Sequence, residues 1–124
     1  MNTPTTAPSV TVFGIPNCDT VKKARTWLTG QGVDFQFHDF KKQGVPTKLL
    51  PDWITAVGWE KLLNRKGTTW RKLDDATRAT VVDATTASAV ILANPSVVKR
   101  PVVVWGDGAV SVGFDIASFA ARLP

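Results

Sequence analysis

The chain has 124 residues, 44% of them apolar and 20% charged, with 15 Lys and Arg against 10 Asp and Glu for a net charge of +5. That length suits one domain around one hydrophobic core, and the composition excludes a disordered chain. No apolar run reaches the roughly 20 residues of a membrane helix, so no membrane contact is expected. The opening MNTPTTAPSV lacks the basic start and apolar stretch of a secretory signal and reads as a mobile polar tail over residues 1–9. A lone cysteine, Cys18, and a lone histidine, His38, exclude an internal disulfide and leave no set of ligands for a Cys/His metal cluster, so no metal is expected. A free thiol without a signal points to the reducing cytoplasm.

Val10 to Ile15 is a short β-rich run that should form a buried strand, ended by the turn pair Pro16-Asn17. From Cys18 to Thr29 the pattern becomes helical, with Val21, Ala24 and Leu28 on one face and Gly30 and Gly32 at the end. Val33 to His38 alternates as a second strand. Strand, helix and strand within about 30 residues make a βαβ unit with parallel pairing. Leu49, Leu50, Trp53, Ile54 and Val57 then predict an amphipathic helix from Pro46 to about Trp59, closed by Gly58. Gly67-Thr68-Thr69 breaks the pattern. Asp74 or Asp75 should cap another helix with Val81 and Val82 facing inward, a better reading of that pair than metal ligation. Ala84 to Ala93 predicts a further helix, with Ala87, Val90, Ile91 and Leu92, stopped by Asn94-Pro95.

Beyond Arg100-Pro101, Val102 to Trp105 and Ala109 to Val112 should form a hairpin around Gly106-Asp107-Gly108. Asp115 should cap a last helix that buries Ile116, Phe119, Ala120 and Leu123. The order β-α-β, helical insert over about 46–94, β-β-α predicts an α+β fold. It is the thioredoxin-like arrangement of a four-stranded mixed sheet, in one domain over 10–124.

Cys18 carries the chemistry. It stands at the start of a predicted helix, where the first backbone N–H groups lack partners and the helix dipole is positive. A thiolate there is stabilised, and a cysteine so placed has a lowered pKa. Lys22, Lys23 and Arg25 add positive charge within two turns. Asn17, Asp19 and Thr20 around it are polar, which argues against a buried structural cysteine. The tetrad Cys18-Asp19-Thr20-Val21 has no second thiol, so any redox cycle needs an external one. Arg100-Pro101 is the second feature: thioredoxin-like folds open the third strand with a cis-proline that faces the active cysteine, and by that analogy Pro101 is expected to be cis and Arg100 to point toward Cys18.

Asn17 to Ala24, Trp27-Leu28, Phe37-His38-Asp39, Leu62 to Leu73 and Lys99-Arg100-Pro101, in that order, resemble the arsenate reductase (ArsC) family, and most nearly its YffB branch, which is related to the Spx regulators. The resemblance spans about residues 10–123. It implies a thioredoxin-like fold, Cys18 as the nucleophile, and a turn from Asn17 to Thr20 that holds an anion or thiolate. It also implies glutathione as co-substrate, with three arginines around the cysteine. Arg100 matches one. The second position falls at Asn64, with Arg65 and Lys66 next to it. The third falls at Gly113, where no arginine exists, and that departure speaks against arsenate as the substrate, because a compact oxyanion wants several fixed donors.

The reading is a single-cysteine, glutathione-dependent thiol reductase. Cys18 attacks an oxidised substrate or a mixed disulfide, and glutathione resolves it. Arg100 and Arg65 hold the anion, Lys22 helps electrostatically, and Asn17, Asp19, Thr20, Asn64 and Pro101 complete the site. The alternative is a Spx-like regulator that binds RNA polymerase. A nucleic-acid binder is a third reading, drawn from the basic clusters and from Trp53, Trp59, Trp70 and Trp105, but aromatics at such spacing usually belong to the core. His38 is read as structural more readily than as a general base. A monomer is expected.

Overall fold

The computed structural model describes residues 10–123, so the tail over 1–9 lies outside the described residues. Strand β1 runs Val10–Gly14, helix α1 Asp19–Gly30 and strand β2 Phe35–Asp39. Helices α2 (Phe40–Gln43), α3 (Leu50–Val57), α4 (Trp59–Leu62), α5 (Thr68–Lys72), α6 (Asp75–Ala79) and α7 (Ala84–Ala93) follow. A 3₁₀ turn at Pro95–Val97 leads to β3 (Val102–Val104), β4 (Val110–Val112) and α8 (Ile116–Ala120).

The sheet order is β2-β1-β3-β4. β1 pairs parallel with β2 and antiparallel with β3, and β3 pairs antiparallel with β4. This mixed four-stranded sheet with helices on both faces is the expected thioredoxin-like fold.

Alternation along β1 divides the core into two layers. Val10 and Val12 join Ala24, Leu28, Val103, Trp105 and Phe119 beneath α1 and α8. Phe13 and Ile15 join Phe40, Trp53, Leu62, Val90, Ile91 and Val102 beneath the helical segment. Burying each such side chain contributes roughly 1.5–3 kcal/mol. Trp53 and Trp105 are buried, one in each layer, and Trp59 and Trp70 pack partly buried against the layer of Trp53, so all four contribute to the packing of the core.

Several local expectations shift. The helical segment begins earlier than Pro46, because the Asp39 side chain accepts the Lys41 N–H and caps α2 directly after β2. Gly67 starts a helix and does not merely break one: it is the N-cap of α5. Val81 turns inward, but Val82 is 69% exposed, because the two lie in the link between α6 and the Asp83 cap of α7 and share no helical face. Asp115 caps α8 by accepting the Ser118 N–H at 2.8 Å, yet α8 is only one turn and a half long and buries Phe119 alone. Ile116 and Ala120 are exposed.

Two positions at the top of the sheet set the geometry of the site. Gly14 ends β1 against Val21 of α1; a Cβ at Gly14 would sit 2.8 Å from Val21 Cγ2, so only glycine lets the helix approach the strand this closely. At the start of β3 the Arg100–Pro101 peptide bond is cis, as expected.

Candidate active site

After β1 the chain turns through Pro16 and Asn17, and the Cys18 N–H closes the turn on the Ile15 carbonyl at 3.2 Å. Cys18 has extended backbone angles and is the N-cap of α1, and its carbonyl accepts the first helical bond, from Lys22 N–H, at 2.9 Å. Its thiol is half-buried at the edge of the larger core layer. An N-cap side chain faces the free N–H groups of the second and third helical residues, here Thr20 and Val21. The thiol makes no hydrogen bond of full geometry with them, but both N–H groups act on it.

Partial burial pushes the Cys18 thiol up, and this is the largest single influence on it. The Val21 N–H, the Arg100 guanidinium through donor contact and charge, and the Thr20 N–H together outweigh it and hold the thiol below its ordinary value. Cys18 is therefore more readily ionised than an ordinary cysteine.

Arg100 is placed for that role by its backbone neighbours. Its Nη1 donates to the Ser96 carbonyl at 2.7 Å and approaches the Val98 carbonyl at 3.5 Å. Its Nε is buried and has no hydrogen-bond partner among the described residues. A guanidinium fixed on one edge with a spare donor is suited to receiving an anion.

Cys18, Thr20, Asn64, Lys99, Arg100, Gly113 and Phe114 line one cavity of about 260 Å³. Of the residues singled out in the sequence, the fold thus brings Cys18, Thr20, Asn64 and Arg100 together, with Pro101 buried behind Arg100. Asn17 and Asp19 flank Cys18 on the exposed turn and do not line the cavity. Lys22 lies one turn along α1 and faces two shallow grooves elsewhere on that helix. Arg65 points away: its guanidinium lies 5.3 Å from the Trp59 ring centroid and 3.9 Å from the Glu60 carboxylate. Asn64, whose N–H donates to the Val97 carbonyl at 2.8 Å, is the one of the adjacent pair that faces the cysteine.

Lys99 and Phe114 were not singled out as site residues. The sequence signals for Lys99 are its basic pair with Arg100 and its place in the Lys99-Arg100-Pro101 segment. His38 is remote from the cavity. Its Nε2–H donates to the Gly44 carbonyl at 2.8 Å, and its ring packs 5.0 Å from that of Phe13, a structural role. Asp74 caps α6 by accepting the Thr77 N–H. Among the described residues no group of three or more His, Cys, Asp or Glu is placed to hold a metal ion, and no helix is long and apolar enough to cross a membrane.

The ArsC family pattern matches residues 13–121. A solved YffB protein is 45% identical, covers 93% of this chain and 99% of its own, and superposes with a TM-score of 0.87. An arsenate reductase related protein from Brucella melitensis is 48% identical, with 97% of each chain covered and a TM-score of 0.71. The global transcriptional regulator Spx of Streptococcus pyogenes is 28% identical over 123 residues, which cover 91% of this chain and 86% of that one. A match over nearly the whole sheet, both cysteine-bearing and proline-bearing turns and the helical segment between them leaves one conclusion: the chain belongs to the ArsC family.

Proposed function

We propose that the protein is a single-cysteine thiol oxidoreductase that uses glutathione as its external thiol and works in a reducing, cytoplasmic compartment. The observation that carries this reading is the half-exposed Cys18 thiol, held below its ordinary pKa against the Thr20 and Val21 N–H groups and the Arg100 guanidinium.

In the forward step the Cys18 thiolate attacks one sulfur of a disulfide. A Cys18–sulfur bond forms, the disulfide bond breaks, and the departing thiolate takes a proton from water. The glutathione thiolate then attacks the substrate-derived sulfur of the mixed disulfide. Cys18 leaves as thiolate and the substrate departs joined to glutathione. Arg100 favours both steps by holding negative charge on Cys18 as attacker and as leaving group. Lone-cysteine chemistry of this kind requires the external thiol, because no other cysteine exists in the chain.

Intact-mass measurement tests the reading. Incubation with glutathione disulfide should give one glutathione adduct on Cys18, and excess reduced glutathione should remove it. Absence of the adduct at neutral pH under native conditions would contradict the proposal.

The similarity to the global transcriptional regulator Spx supports a second reading, a transcriptional regulator that binds RNA polymerase as the family resemblance implies. Recovery of polymerase subunits by the immobilised protein, with no thiol exchange at Cys18, would favour it.

A further inference from the structure

Beside the thiol cavity lies a second one of about 320 Å³, walled by α4, β4 and α8. The two share Lys99, Gly113 and Phe114. Three cations line the second cavity: Lys61 of α4, Lys99, and Arg122 just after α8. Among the described residues none of the three makes an ion pair. The one carboxylate on the wall, Asp115, accepts the Ser118 N–H as the cap of α8 and keeps its negative charge, so the three cations leave the wall with a net positive charge.

Arg122 is steadied by Trp105, whose ring centroid lies 5.6 Å from its guanidinium carbon. Gly113, with φ +81°, makes room for Lys99 at the seam: a Cβ there would sit 3.3 Å from Lys99 Cε and 3.9 Å from its Nζ. Unpaired like charges gathered in one concavity repel one another, and the concavity focuses their field, so an anion entering it is favoured twice over.

We infer that this second cavity is an anion subsite that receives a carboxylate of the thiol or disulfide whose sulfur reacts at Cys18, with Lys99 spanning the two cavities. The inference rests on the thiol-exchange reading and adds the selection of substrate by charge: carboxylate-bearing thiols and disulfides are taken, amine-bearing ones gain nothing.

Lys61 and Arg122 line the second cavity and not the first, so their replacement leaves the thiol's own surroundings in place. The experiment compares the rate of mixed-disulfide formation at Cys18 with glutathione disulfide, which carries carboxylates, and with cystamine, which carries only amines. In the Lys61→Met/Arg122→Met double variant the rate with glutathione disulfide is expected to fall about five- to tenfold and the rate with cystamine to stay within about twofold. A Lys48→Met/Lys72→Met double variant, which removes the same net charge from exposed positions elsewhere, should leave both rates within about twofold.

Equal changes with the two disulfides, or a control variant as slow as the test variant, would overturn the subsite while leaving exchange at Cys18 intact. Failure of the unaltered protein to react with either disulfide would instead remove the exchange reading, and the subsite with it. S-methylglutathione, which cannot exchange, gives a separate readout by amide chemical shifts. Shifts at Lys61, Gly113 and Ser118 are expected, and shifts confined to other surfaces would overturn the assignment.

Discussion

Cys18→Ser should abolish thiol–disulfide exchange, lowering the rate at least about a thousandfold to background, while leaving the fold as stable as before or slightly more so. The two halves of this result have different physical origins. Exchange needs a thiolate, and a serine hydroxyl does not ionise near neutral pH. No second thiol can substitute, because Cys18 is the only cysteine. Stability, however, depends on what the N-cap offers the first turn of α1. Cys18 makes no side-chain cap bond of full geometry there, whereas serine is among the preferred N-caps and can accept the Thr20 or Val21 N–H. A gain of about 0.5–1 kcal/mol is expected in chemical denaturation, read together with the exchange assay. Clear destabilisation with loss of exchange would mean that the thiol is part of the core and not a poised nucleophile.

Trp53→Ala should cost about 3–5 kcal/mol, enough to unfold much of a domain of this size at 37 °C. Trp53 is 1% exposed, and its ring lies 4.7 Å from that of Phe13 and 6.3 Å from that of Phe40. It joins the helical segment to β1, the strand that leads into Cys18. Truncation therefore opens a cavity in the larger core layer, between the helical segment and β1. Trp53→Phe should cost much less than the alanine variant. It keeps most of the ring and removes a buried Nε1–H that has no hydrogen-bond partner among the described residues, a group whose desolvation costs about 1–3 kcal/mol. Urea denaturation of the two variants checks the ranking, and equal losses would show that ring packing is not what Trp53 contributes.

The parts of the fold legible in the sequence were those written in local periodicity. Val10 to Gly14, the Pro16-Asn17 turn and the Val21, Ala24, Leu28 stripe each state their structure within a few residues, and together they place Cys18 at the head of α1. Burial of Trp53 and Ile91 followed from helical spacing in the same way. What failed to show was set by tertiary contact. Adjacent residues Asn64 and Arg65 diverge, one to the cysteine and one to Trp59 and Glu60, and charge alone favoured the wrong member for the cavity wall. Lys99 meets the cavity from the approach to β3 and packs its Cε against Gly113 after β4, two positions that only the folded sheet brings together. The second cavity draws Lys61, Lys99 and Arg122 from α4, the approach to β3 and the end of α8, which no sequence window contains. Val82 misled because helix periodicity was extended past α6, which stops at Ala79, and Ile116 because α8, at five residues, is too short to bury more than Phe119.

Ionisation of Cys18 is the claim on which the account turns, and the pH dependence of its alkylation by a small neutral reagent measures it directly. The thiolate is the reacting form, so the rate follows its fraction and rises through the thiol pKa. Because the folded protein holds that pKa down, alkylation of the native protein should reach half its plateau at lower pH than alkylation of the same protein unfolded in urea. Arg100→Met should move the native midpoint up and slow the reaction at neutral pH about fivefold, the factor set by roughly 1 kcal/mol for a charge contact partly open to solvent. A native midpoint at or above that of the unfolded chain, unmoved by loss of Arg100, would contradict the account.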